Sequence, residues 1–63
     1  MTKERASEII AAARAAAVYG PWCDQLDKVM TKDERREVNA VWDTLPGWYS
    51  FTWTLEKIAR GDV

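Results

Sequence analysis

The stretch Val38–Gly61, VNAVWDTLPGWYSFTWTLEKIARG, holds three of the four tryptophans, the only phenylalanine and one of the two tyrosines. Val38, Val41, Trp42 and Leu45 recur at i, i+3, i+4 and i+7, the spacing of one helix face. Pro46 cannot continue a helix, and Gly47 after it marks a corner. Ser50 is a good N-cap, and Phe51, Leu55, Ile58 and Ala59 share a face of the helix it would open, with Gly61 as the stop. The stretch therefore predicts two helices, 32–45 and 50–60, joined at Pro46-Gly47. In so short a chain large aromatics are expected to supply most of the buried area, with the other segments assembled around this corner.

Upstream, Thr31-Lys32-Asp33-Glu34 fits a capping box, a threonine N-cap with a glutamate three residues on. Pro21 suits the first position of a helix over 21–30 that lines up Trp22, Leu26, Val29 and Met30. Ala6, Ile9, Ile10, Ala13, Ala16 and Ala17 give a third face, capped by Thr2 and ended by Gly20, so a helix is predicted over 3–18. Its other alanines, Ala11, Ala12 and Ala15, make a smooth surface that suits packing on its own core or on another chain. The run Trp48–Trp53 is β-branched and aromatic, which leaves an extended start to the last segment open. The fold class is an all-α, compact bundle of about four short helices, one domain over residues 1–63. The expected core is Ile9, Ile10, Ala13, Ala17, Trp22, Leu26, Val29, Val38, Val41, Trp42, Leu45, Phe51, Leu55 and Ile58.

A chain of 63 residues is marginal in burial, and such domains draw on disulfides, metals or association. Cys23 is the only cysteine and there is no histidine, so neither an internal disulfide nor a usual zinc set can be built. Aromatic packing, a homodimer or a partner remain. Nine basic against ten acidic residues leave a net charge of −1, which argues against a general nucleic-acid or membrane-surface binder. No apolar run reaches the ~20 residues of a membrane span, and a free cysteine without a secretion signal suits a reducing cytoplasm.

Catalysis finds no support. No histidine is present to activate Cys23, Ser7 or Ser50, and the acidic groups Asp24/Asp27 and Asp33/Glu34/Glu37 suit helix N-termini and solvated faces. No enzyme activity, cofactor or metal is expected. A helix-turn-helix DNA-binding regulator is the alternative function, with Thr52, Trp53, Glu56, Lys57 and Arg60 on its second helix. Only two of those are basic, and Glu34, Glu37 and Asp43 would lie near the phosphates.

The leading reading is protein binding. On a helical wheel Trp53 lies about 170° from the centre of the Phe51/Leu55/Ile58 face, among Glu56, Lys57 and Arg60. A tryptophan there is either covered by another part of the chain or left for another molecule. Tryptophan, tyrosine and arginine dominate interface energetics, and a polar rim is their usual surround. Trp48, Tyr49, Trp53, Lys57 and Arg60 are the expected protein-binding residues, although Trp48 and Tyr49 would also serve to fold over the corner.

The segments Glu37–Gly47 and Leu55–Gly61, with the Tyr19-Gly20-Pro21-Trp22 corner, resemble small accessory proteins carried by temperate phages of proteobacteria. In those a Val-Trp-Asp-x-x-Pro-Gly element precedes a short final helix. The resemblance carries no catalytic motif. It implies a phage protein acting in the host cytoplasm as an inhibitor of a host protein, such as an anti-defence factor against a CRISPR complex or a blocker of a host regulator.

Overall fold

The Thr2 hydroxyl accepts the Arg5 amide at 3.1 Å and so starts the first helix, α1 (Lys3–Ala16). In the computed structural model, which describes residues 1–63, α2 (Leu26–Val29), α3 (Lys32–Trp42) and α4 (Phe51–Arg60) follow. A 3₁₀ turn at Trp22–Gln25 leads into α2, and no strand is formed. The protein is an all-α bundle. No helix is long and apolar enough to cross a membrane.

Local chemistry sets most of the boundaries. The Thr31 hydroxyl accepts the Glu34 amide, and the Glu34 carboxylate accepts the Thr31 amide, completing the capping box of α3. The Ser50 hydroxyl accepts the Trp53 amide at 3.0 Å and starts α4. At its end Gly61 takes φ +77°, and the Gly61 and Asp62 amides bond back to the Ile58 and Lys57 carbonyls. This is a Schellman closure, in which the left-handed residue is best a glycine.

Three helices are shorter than their apolar spacing predicts. α1 stops at Ala16, because Ala17 (φ −83°, ψ 85°) makes an inverse γ-turn in which the Val18 amide donates to the Ala16 carbonyl. Val18 and Tyr19 then lie in solvent, and Gly20, at φ +82°, turns the chain after the helix has already ended. The segment 21–30 is split: Pro21 is extended and precedes the 3₁₀ turn instead of opening a helix. A regular helix needs a nucleus that a segment this short barely supports, and tighter i→i+3 bonds form first. α3 ends at Trp42, not Leu45. Pro46 disfavours helical backbone at Leu45, so the last amides, Thr44 and Leu45, bond three residues back to Val41 and Trp42.

The core lies between α1 and α4, not at the Pro46-Gly47 corner. Ala6, Ile9, Ile10 and Ala13 of α1 meet Leu55 and Ile58 of α4, with Leu26 and Val38 closing the sides. Small side chains on α1 let α4 approach closely, which is the packing use of its alanines. None of the four tryptophans is buried. Trp22, Val29, Val41 and Phe51 pack half-buried around the core, and Ala17, Trp42 and Leu45 are also only half-buried. The aromatic residues form a collar around an aliphatic centre, the reverse of the expected arrangement. Thr54 is fully buried, because its hydroxyl is satisfied by the Ser50 carbonyl one turn back at 2.8 Å.

Arg5 ties the chain's two halves together. Its Nε and Nη2 donate to the two Glu34 carboxylate oxygens at 2.5 and 3.1 Å, and Nη2 also reaches the Val29 carbonyl at 3.4 Å. One fork thus joins α1, the end of α2 and the capping box of α3. The Arg5 hydrogen bonds, helped by the Thr31 amide, hold the Glu34 carboxyl well below the usual carboxylate range, at about 2.

Candidate protein-binding site at the aromatic corner

Residues 43–50 carry the chain from α3 to α4. The Tyr49 amide donates to the Pro46 carbonyl at 3.0 Å, forming a turn in which Gly47 keeps an ordinary negative φ. The Tyr49 carbonyl in turn accepts the indole N–H of Trp42 at 2.8 Å. Trp42 is itself braced edge-on against Phe51, with ring centres 6.1 Å apart at 79°. These contacts anchor the backbone of the corner to α3 and to the first turn of α4.

With its backbone held, the corner turns its rings toward the outer side of α4. Trp48 lies 4.7 Å from Tyr49, and the ring of Trp53 meets both at 6.1 Å, nearly perpendicular to each. Such edge-to-face contacts are the favoured geometry of aromatic pairs. The cluster nevertheless remains open to solvent, with Trp48 70% and Trp53 53% exposed. The Lys57 ammonium sits 5.9 Å over the Tyr49 ring. Glu56 and Arg60 complete the wall of a notch of about 250 Å³ among the three rings.

Trp48, Tyr49, Trp53 and Arg60 line this notch and Lys57 stands over its Tyr49 ring, so the five expected residues lie along the corner and the outer side of α4. Trp53 points away from Leu55 and Ile58, as the wheel places it, and neither α1 nor the N-terminus covers it; the two corner rings flank it instead. The structure adds two features that sequence reasoning missed. One is the Trp42–Tyr49 bond, for which a tryptophan seven residues before a loop carbonyl gives no sequence signal. The other is an open groove between α1 and α4, bordered by Arg14, that runs up to Glu56 and Arg60.

The notch is lined by three aromatic rings, with Glu56 and Arg60 as its charged wall. Cys23 lies half-buried in the 3₁₀ turn against the core. No three His, Cys, Asp or Glu side chains converge as a metal centre requires. The link from α3 to α4 is also longer than the about 3–4-residue turn of a helix-turn-helix. Comparison with protein-family models, curated proteins and solved structures finds no match for this chain.

Proposed function

We propose that the protein is a small phage-type accessory factor that binds a host protein through the aromatic corner and inhibits it by occupying its surface. A single observation carries this reading. Trp48 and Trp53 remain exposed beside Tyr49 in a fold whose core is complete without them. Burying two such rings against a partner removes far more apolar surface than a lysine or glutamate at the same positions, and a rim of Glu56, Lys57 and Arg60 shields the contact. Host defence complexes and transcription regulators are the class of target.

The test is capture from a proteobacterial lysate by the wild-type chain and by Trp53→Ala, with thermal melts of both. A partner retained by the wild type and lost by a variant of unchanged melting temperature supports the reading. A variant that loses stability and binding together overturns it. Salt-sensitive shifting of genomic DNA would instead favour the regulator.

A homodimer is the second reading, favoured by the exposed alanines Ala11, Ala12, Ala15 and Ala16 on α1. The accessible surface, 4202 Å², is close to the roughly 4,100 Å² typical of a monomer of this mass. Light scattering across a concentration series decides.

A further inference from the structure

Only the corner gathers exposed rings. Trp22 is half-buried with the Arg14 guanidinium over it, and Tyr19, 91% exposed, belongs to no ring cluster. At the corner Trp53 stands nearly perpendicular to Trp48 and to Tyr49, at 77° and 85°. The notch of about 250 Å³ among them is therefore walled by rings set at right angles.

The polar groups of these rings are free. Trp42 donates its indole N–H to the Tyr49 carbonyl, but the indoles of Trp48 and Trp53 and the Tyr49 hydroxyl have no partner in the chain. An indole N–H can only donate, and a tyrosine hydroxyl can do so as well. Of the side chains lining the notch, Glu56 is the one that can only accept. The surface thus suits a ligand that is apolar and brings carbonyl acceptors with few N–H donors of its own. A run of prolines has that character. Its rings face outward, it lacks N–H groups, and its carbonyls make no internal hydrogen bonds.

A folded domain takes a peptide segment in only a few ways. Strand addition needs a sheet edge, and this fold has no strand. An acidic or phosphorylated segment needs an arginine cluster, and Arg60, the one arginine at the notch, is bridged to Asp62. An amphipathic helix needs an apolar trough several turns long, whereas the neighbouring groove is interrupted by Ser7, Arg14, Glu56 and Arg60. Resting on the protein-binding reading above, we infer that the partner segment docking at the corner is proline-rich and extended as a polyproline II helix. Its proline rings pack on the faces of Trp48, Tyr49 and Trp53, and its carbonyls accept the two free indole N–H groups. Such a segment is extended before it binds, and the corner backbone is already tied, so contact demands little ordering of either. A second copy cannot supply the segment, because the chain's two prolines, Pro21 and Pro46, stand alone.

The experiment uses the full chain and three labelled peptides of equal length and no net charge. One is proline-rich, one is amphipathic with a leucine face and a glutamine face, and one is glycine and serine. Fluorescence anisotropy gives the affinities, with thermal melts of every variant. The proline-rich peptide is expected to bind about tenfold tighter than the amphipathic one, with little dependence on salt. Trp48→Phe and Trp53→Phe keep a ring but delete the donor, and each should weaken it about fivefold, the worth of one hydrogen bond. Trp48→Ala and Trp53→Ala should weaken it further; if either lowers the melting temperature, the phenylalanine variants decide. Equal or tighter binding of the amphipathic peptide overturns the inference. So does the absence of proline-peptide binding up to about 1 mM, or phenylalanine variants that bind as the wild type does. If the amphipathic peptide is preferred and Trp53→Ala releases it, the aromatic-corner reading stands and the proline-rich partner falls. If the proline-rich peptide binds the wild type and both alanine variants alike, both fall. If no peptide binds, the proline-rich partner falls and capture from lysate still judges the corner by itself.

Discussion

The side of the molecule where α1 meets α3 and the end of α4 at the corner treat polar and aromatic side chains in opposite ways. On the first, groups are matched internally. Arg5 grips Glu34 and the Val29 carbonyl, Glu34 closes the capping box, Arg35 meets Asp27, and the Met1 amine meets Glu37. At the second, rings stack on one another yet face solvent, and Lys57 rests over the Tyr49 ring with no carboxylate. The first region has little left to offer another molecule. The second has its backbone tied by hydrogen bonds but leaves its rings exposed to solvent, an arrangement that favours binding because less ordering remains to be done on contact.

The contrast is broken most severely from the centre. Leu55→Ala, at a fully buried position, is expected to cost about 2–5 kcal/mol. A domain of this length has roughly 3–9 kcal/mol in all, so the variant should melt far below the wild type by circular dichroism. If its melting point stays near that of the wild type, the α1–α4 core is misplaced. Trp53→Ala is expected to do the opposite, with a melting point near the wild type and a loss of about 2 kcal/mol in partner binding by titration.

Acid probes the matched side alone. The Glu34 carboxyl titrates near 2 in the fold, below its ordinary value of 4.5, so the native state favours its ionised form. The stability it contributes is present above about pH 4.5 and drains away as pH falls toward about 2. Urea melts at pH 7 and at steps below 4.5 should show that loss. Glu34→Gln, which can still accept the Thr31 amide, should lack this part of the pH dependence. Trp42→Phe keeps an aromatic against Phe51 but deletes the donor to the Tyr49 carbonyl, for an expected cost of about 1 kcal/mol. It should also loosen partner binding, which would tie the corner's order to its use. The smallest effect is expected at Gly47. Its φ is negative and a methyl there would meet nothing within 4 Å, so Gly47→Ala should be neutral or stabilise by about 0.4–1 kcal/mol. A clear loss would mean that the turn needs glycine after all.

The parts of the fold that are legible in the sequence are those set within a few residues. Thr2, the Thr31/Glu34 box, Ser50 and Gly61 mark helix ends by local hydrogen bonds, and each acts where it is expected. Thr54 sits at i+3 from Phe51, inside the apolar period, but its polar type hid a buried position that only the Ser50 carbonyl makes tolerable. The Arg5–Glu34 grip spans 29 positions, and no short-range pattern encodes it. The same holds for the placement of the tryptophans. Their size argues for the centre, yet the buried positions of α1 and α4 are taken by Ala6, Ile9, Ile10, Ala13, Leu55 and Ile58, which leaves the indoles at the periphery. At the corner, the exposure of Trp53 follows from the helical wheel, whereas its company with Trp48 and Tyr49 depends on how the 43–50 link is tied down.

That tie has a practical side. Of the four indole N–H groups, only that of Trp42 has a protein acceptor, the Tyr49 carbonyl. In a proton NMR spectrum the four give separate resonances in a sparsely populated region. The Trp42 signal should exchange with deuterated solvent more slowly than the other three for as long as the corner stays closed. The molecule thus contains its own gauge of corner opening, readable without a label and recorded alongside the shifts of Trp48 and Trp53 as a partner is titrated in.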